Sequence, residues 1–310
     1  MIELNKIYNE PCLETTARME DNSIDCIITS PPYWQLRDYG YPEQWGLEPT
    51  FNEYLEHLWS LMRECYRVLK PNGTCWVNLG DTYNNNSGGG GNSCSTGNKK
   101  ALQLCGRLQK QDKRYSSKCL LLLPHRFAIG CIDMGWIVRN DVIWAKRNGM
   151  PESVTDRFSK KHEYMFFMVK SEKYYFDLDV VKDKAMPDNS VRDRDNTKLN
   201  NTPGRSKMAG LKTNEYTTKN PGSVSDFWDI PTKPSGSKHY AVYNDSLIAK
   251  PILAGCPENG VIYDPFMGSG STAEAALRAN RKYIGSEMST EYLDIANKRL
   301  EPFLKQYNLF

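Results

Sequence analysis

Within nine residues, Asp264-Pro265-Phe266-Met267-Gly268-Ser269-Gly270-Ser271-Thr272 combines an acid, an aromatic ring, two glycines and three hydroxyls. The segment follows an apolar run, Val261–Tyr263, and opens a helical pattern, Ser271–Ala279. Glycine at 268 and 270 lets a backbone turn sharply and approach a ligand closely. Glu287 lies 23 residues after Asp264, at the end of the next apolar run. A carboxylate there can accept hydrogen bonds from both hydroxyls of a ribose. The spacing is not a dinucleotide fingerprint, because position 273 is Ala273, and no Gly-Lys-Ser/Thr makes it a P-loop. Asp264, Phe266, Gly268, Gly270, Thr272 and Glu287 therefore form a candidate site for a nucleoside-type cofactor.

A second group, Thr29-Ser30-Pro31-Pro32-Tyr33-Trp34, follows the apolar run Ile24–Thr29. Two adjacent prolines stiffen the turn and remove two N–H donors. What remains is acceptors, the Ser30 hydroxyl and the Pro31 carbonyl, beside the flat ring of Tyr33, with Trp34 next to it. An exocyclic amine on a nucleobase brings two N–H donors and a planar ring, so the chemistry is complementary. Ser30, Pro31, Pro32 and Tyr33 are the candidate catalytic residues.

The elements that would position these groups alternate between strand and helix. Ile24–Thr29 is a short, largely apolar run of the kind a doubly covered parallel strand shows. Phe51–Leu69 has apolar residues at spacings of three and four, with Thr50 and Glu53 as a capping box and Lys70-Pro71-Asn72-Gly73 as its stop. Thr74–Leu79, Trp136–Trp144, Tyr164–Val169, Val261–Tyr263 and Tyr283–Ser286 read as further strands, and Glu291–Leu300 as a helix. The alternation predicts an α/β fold, a doubly wound and mostly parallel sheet with helices on both faces.

Two stretches interrupt it. Asn84–Asn98 is rich in Asn, Ser and Gly and reads as a mobile loop running to about residue 118, its second half basic through Lys99, Lys100, Arg107, Lys113 and Arg114. Asp188–Gly222 carries Arg192, Arg194, Arg205 and Lys207 among its cations. Both are candidate phosphate-binding segments. They matter because the chain as a whole, 310 residues with a formal charge of +3, is not globally basic. Apolar runs such as Cys119–Leu123 are far too short to span a bilayer, and no N-terminal signal core is visible, so a cytoplasmic protein is expected. Nine cysteines without a C-x-x-C pair predict reduced thiols and no metal.

These motifs resemble the S-adenosylmethionine-dependent DNA amino-methyltransferases of the β arrangement, in which the catalytic motif precedes the cofactor motif. The family pattern (Asp/Asn/Ser)-Pro-Pro-(Tyr/Phe) matches Ser30–Tyr33, and Asp-Pro-Phe-x-Gly-Ser-Gly matches Asp264–Gly270. The likeness extends through Arg37–Gly40, Arg67–Gly73, Asn78-Leu79-Gly80-Asp81, Gly135-Trp136 to Trp144, Pro151–Arg157 and His162-Glu163-Tyr164. It implies a seven-stranded Rossmann-like methyltransferase sheet. Residues 1–185 would form the catalytic half, 186–222 an inserted target-recognition region, and 223–310 the cofactor half. S-adenosyl-L-methionine is the implied cofactor. The implied partners are double-stranded DNA and a cognate restriction endonuclease, with the protein a monomer or homodimer. Relatives carry an acid near the end of the first strand. Pro11 aligns with it here, so either Glu10 takes its place or the adenine is held otherwise. Ser at position 30 goes in the family mostly with cytosine N4, with adenine N6 as the alternative. A flipped base, activated by Ser30 and Pro31 and stacked by Tyr33 with Trp34, would take the methyl group directly. The remaining alternative is an inactive DNA-binding relic.

Other chemistries fit less well. C5-cytosine methylation needs a nucleophilic cysteine, and the one Pro-Cys pair, Pro11-Cys12, precedes the catalytic motif. His162-Glu163 does not continue into H-E-x-x-H, since position 166 is Phe166. RNA and glutamine amino-methyltransferases place their Asn-Pro-Pro-Tyr motif after the cofactor motif, the reverse of the order here.

Overall fold

In a computed structural model of the protein, residues 2–41, 43–84, 112–149, 154–182, 224–231 and 245–307 are described. They form an α/β fold whose sheet has eight strands: β1 (Lys6–Tyr8), β2 (Ile24–Thr29), β3 (Leu69–Leu79), β4 (Ile137–Ala145), β5 (His162–Val169), β6 (Phe227–Asp229), β7 (Val261–Asp264) and β8 (Lys282–Ser286). Their order across the sheet is β1-β8-β7-β2-β3-β5-β4-β6. All neighbours pair parallel except at β5, which runs antiparallel to both β3 and β4. The strand beyond the expected seven is β6, a three-residue edge strand with one buried side chain, Trp228, too short to show a period.

Helices cover both faces: α1 (Cys12–Ala17), α2 (Phe51–Val68), α3 (Leu123–Asp133), α4 (Asp245–Gly255), α5 (Ser271–Arg278) and α6 (Thr290–Tyr307). The expected capping box opens α2, with Thr50 Oγ1 accepting from the Glu53 N–H and Glu53 accepting from the Thr50 N–H. Eight of its apolar residues are buried, in the register read from the spacing. α2 ends at Val68, and β3 begins at once at Leu69 rather than at Thr74. Leu69 pairs with Ile24, and an irregularity between Ile24 and Cys26 takes up the Pro71–Gly73 excursion.

One apolar layer joins α1, α2 and α3 to one sheet face, through Leu58, Leu61, Phe127 and Phe166. The other joins α4, α5 and α6 to the opposite face, through Ile28, Trp76, Ile248 and Ala273. Residues 186–222 and most of the expected loop, 85–111, lie outside the described residues. The base of that loop is pinned by Asn84, fully buried, whose amide donates to the carbonyls of Asp112, Tyr115 and Ser116.

Candidate active site

β2 and β7 lie side by side, yet the chain leaves them in opposite directions across the sheet, β2 toward β3 and β7 toward β8. This is a topological switch point, where a crevice opens beyond the carboxyl ends of parallel strands. The Ser30–Tyr33 turn leaves the end of β2, and the Asp264–Gly270 turn leaves the end of β7. Glu287 follows β8, and Glu10 follows β1. All of these ends share one rim, and a cavity of about 580 Å³ opens there. Its wall includes Ser30, Pro31, Pro32 and Tyr33 from the first turn, Phe266 and Gly268 from the second, and Glu10 and Glu287.

On the cofactor-motif side, Asp264 is fully buried and does not reach the cavity. It accepts from the Phe266 N–H at 3.0 Å and from the Thr272 hydroxyl at 2.6 Å, so it fixes the turn from behind. Burial pushes its carboxyl up to about 6. Gly268 and Gly270 adopt φ of +55° and +81°. A β-carbon on Gly270 would lie 2.9 Å from the Ala296 β-carbon, so this glycine lets α6 pack against the turn. Glu287 accepts from the Gly268 N–H at 2.8 Å and, through its other oxygen, from the Ser289 N–H at 2.8 Å. Burial raises its carboxyl above the ordinary value. Phe266 is half-buried, and Trp45 meets it edge-on with ring centroids 5.5 Å apart. Glu10 is held by the Thr15 hydroxyl at 2.7 Å and by an ion pair with Arg18.

On the Ser-Pro-Pro-Tyr side, the Pro32 carbonyl accepts from the Tyr54 hydroxyl at 2.9 Å, which anchors the turn to α2. The Tyr33 ring packs on Gly80, where a β-carbon would come within 2.6 Å of it. Trp34 is not a stacking partner. It is 1% exposed, donates its indole N–H to the Glu48 carbonyl and packs edge-on against Phe51, so the helix core claims it.

Three polar residues that the motifs did not single out complete this wall: Asn78 from the end of β3, Lys146 just after β4, and Glu163 from the start of β5. Tyr33 donates to Glu163 Oε2 at 2.8 Å, and Glu163 Oε1 pairs with Lys146. Asn78 Oδ1 lies 3.5 Å from Ser30 Oγ and 3.1 Å from the Tyr33 hydroxyl, while its amide nitrogen donates to the Tyr164 carbonyl at 3.0 Å. The signals available in the sequence were that Asn78 and Glu163 fall within stretches of the family likeness and that Glu163 is an acid opening an apolar strand. Its neighbour His162 bonds the Tyr164 hydroxyl at 3.1 Å, and burial lowers its imidazole's basicity.

Of the expected phosphate-binding residues, Lys99, Lys100, Arg107, Arg192, Arg194, Arg205 and Lys207 lie outside the described residues. Lys113 is exposed. Arg114 is engaged bidentately by Asp112, whose carboxyl it holds below the ordinary value. The seven described cysteines are free thiols, six of them buried. Among the described residues no cluster of three metal-ligating side chains occurs, and no helix is long and apolar enough to cross a membrane.

Comparison with known proteins agrees with this geometry. The type II methyltransferase M.Cfr9I of Citrobacter freundii is 35% identical over 302 residues, 97% of this chain and 89% of its own. M.SmaI of Serratia marcescens is 33% identical over 295 residues, 95% of this chain and 90% of its own. Among solved structures, the cytosine-N4-specific PvuII DNA methyltransferase superposes with a TM-score of 0.62 at 18% identity, covering 98% of this chain and 91% of its own. The complex of M1.HpyAVI with S-adenosylmethionine superposes with a TM-score of 0.54 at 19% identity, covering 95% of this chain and 98% of its own. A family model for DNA methylases of the N6/N4 type matches residues 24–298. With both motifs at the rim of one cavity and that match spanning most of its length, the chain belongs to the N6/N4 DNA methylase family.

Proposed function

We propose that the protein methylates the exocyclic N4 of a cytosine flipped out of duplex DNA, at a specific site. The observation that carries this reading is the single cavity walled by Ser30–Tyr33 on one side and by Phe266, Gly268 and Glu287 on the other. The methyl donor of the family is S-adenosyl-L-methionine, which when bound supplies a methyl group already activated on a sulfonium. The residues present fit it. Phe266 offers a half-buried ring for an adenine, and Glu287 a carboxylate whose remaining lone pairs suit a vicinal diol. Glu10, itself part of the wall, is the third candidate contact. Asp264, Gly270 and Thr272 act from behind, by shaping the turn.

The chain's own work falls on the amine. A paired, stacked amine is out of reach, so extrusion costs a few kcal/mol that pocket contacts must offset. The lone pair of a nucleobase amine is conjugated into its ring. Ser30 Oγ and the Pro31 carbonyl accept its two N–H bonds, draw the nitrogen toward tetrahedral geometry and free that pair. These bonds strengthen as positive charge grows on nitrogen, so they favour the transition state over the ground state. Tyr33, braced by Gly80 and Glu163, presents a fixed ring face and supplies orientation.

Cytosine is favoured over adenine by the serine at position 30, which follows the family's N4 pattern. The relatives named as type II methyltransferases favour a role in restriction–modification, beside an endonuclease of the same specificity. The test is mass spectrometry of nucleosides from unmodified DNA incubated with the protein and S-adenosyl-L-methionine. N4-methylcytosine is expected. N6-methyladenine alone would transfer the assignment to adenine, and neither product would favour the relic.

A further inference from the structure

A serine hydroxyl can donate or accept, and an amine to be activated needs an acceptor. Ser30 accepts reliably only if its own proton is directed elsewhere. The wall of the cavity offers that destination. Asn78 is 2% exposed, and its amide orientation is fixed because its nitrogen donates to the Tyr164 carbonyl at 3.0 Å. Its oxygen therefore faces Ser30 at 3.5 Å and Tyr33 at 3.1 Å. Tyr33 has one proton, and Asn78 Oδ1 and Glu163 Oε2 both lie within its reach. The nearer, at 2.8 Å, is a carboxylate oxygen of Glu163, and charged acceptors bind protons more strongly than amides. Glu163 is held in place by Lys146, which also lies 4.2 Å from the Trp144 ring centroid. With the Tyr33 proton committed to Glu163, Asn78 Oδ1 is left to take the proton of Ser30.

We propose that Asn78 is a positioning residue that makes Ser30 an acceptor, and that the Lys146–Glu163 pair supports it by keeping the Tyr33 proton away from Asn78. The two lone pairs of Ser30 then face the cavity. This inference rests on the reading of Ser30 as the amine's acceptor. It adds to the reaction Asn78 from β3, Lys146 just after β4 and Glu163 from β5, none of them an acceptor of the amine itself.

The experiment is a double-mutant cycle on single-turnover methylation of unmodified duplex DNA, with radiolabelled S-adenosyl-L-methionine and the full chain in excess. Asn78→Ala should slow the step about tenfold, the worth of one neutral hydrogen bond, while equilibrium affinity for S-adenosyl-L-methionine and for DNA is unchanged. In a Ser30→Ala background, itself about a hundredfold slower, the same change should cost little more. Glu163→Gln, at the start of β5, is the companion should Asn78→Ala not fold. There Tyr33 turns its proton to Asn78, and the rate should fall several-fold with cofactor affinity intact. Equal losses from Asn78→Ala in both backgrounds, or a wild-type rate for Asn78→Ala or Glu163→Gln, would overturn the inference and leave the site reading standing. A wild-type rate for Ser30→Ala would overturn the site reading itself.

Discussion

The two turns at the cavity rim divide their labour by burial. Ser30 is half-buried and faces the cavity, whereas Asp264 is sealed behind its own turn. Ser30→Ala should therefore keep cofactor affinity and lose about a hundredfold in turnover, as removal of one transition-state hydrogen bond does. Asp264→Ala should release the Phe266 N–H and the Thr272 hydroxyl, and cofactor affinity should fall with the turn's order. Calorimetric titration of the two variants separates these outcomes, and equal loss of binding in both would contradict them. Asp264 also leaves a mark on stability. Its carboxyl is raised by burial from 3.8 to about 6, so the folded state holds a proton that the unfolded chain releases. The advantage of that protonated form is complete below the unfolded value and is lost as pH rises through about 6, on the order of 3 kcal/mol in all. Asp264→Asn keeps an acceptor for the Phe266 N–H and, with its amide nitrogen donating to the Thr272 hydroxyl oxygen, keeps both contacts without the charge. Relative to that variant, the wild-type melting temperature should decline between pH 4 and pH 7 and then level off. A constant difference would show that Asp264 does not titrate in that window.

At the level of elements, close approach at two glycines decides whether each turn keeps its shape. A methyl at Gly80 would strike the Tyr33 ring, so Gly80→Ala should lower kcat several-fold with little change in melting temperature, since that ring lies at the cavity wall. A side chain at Gly270 would meet Ala296 and require φ of +81°, so Gly270→Val should cost about 2 kcal/mol in chemical denaturation and weaken cofactor binding too. Much of this level was legible in the sequence. α2 was readable as Phe51–Leu69, one residue past its end at Val68, because a one-sided helix prints its period directly. Ile24–Thr29 was readable because the middle of a doubly covered strand, here Cys26–Ile28, is apolar without alternation. α3 and α4 were not read, since Pro124 and Pro251 interrupt or open them and both are apolar on more than one side. The reversed direction of β5 was invisible, because side-chain alternation is the same in either orientation. That reversal brings the start of β5 to the active rim, which is why Glu163 was not placed at the site while Ser30 and Phe266, carried by local turn chemistry, were. Trp34 was misassigned for a related reason. Neighbours in sequence at a turn point to different places, and its indole went to the core.

For the molecule as a whole, a charge of +3 spread over 310 residues gives little general attraction to nucleic acid, so affinity for DNA must come from local clusters. Neutralising Lys99, Lys100 and Arg107 together should reduce the slope of log affinity against log salt by about three, near 0.9 per lost phosphate contact. Filter binding on nonspecific duplex across a salt series measures it, and an unchanged slope would remove these residues from the interface. The sheet order also bears on how the protein comes into being. β1, from the beginning of the chain, pairs with β8, from near its end, and β7 must slot between β8 and β2. A ribosome must therefore have released the chain from β1 through β8 before the cofactor side of the cavity has a floor. Until then the flank of β2 stays uncovered, a template for mispairing that chaperones would have to shield. A product cut short before β7 would carry the Ser-Pro-Pro-Tyr residues but no place for a methyl donor, so activity waits on the synthesis of β7 and β8.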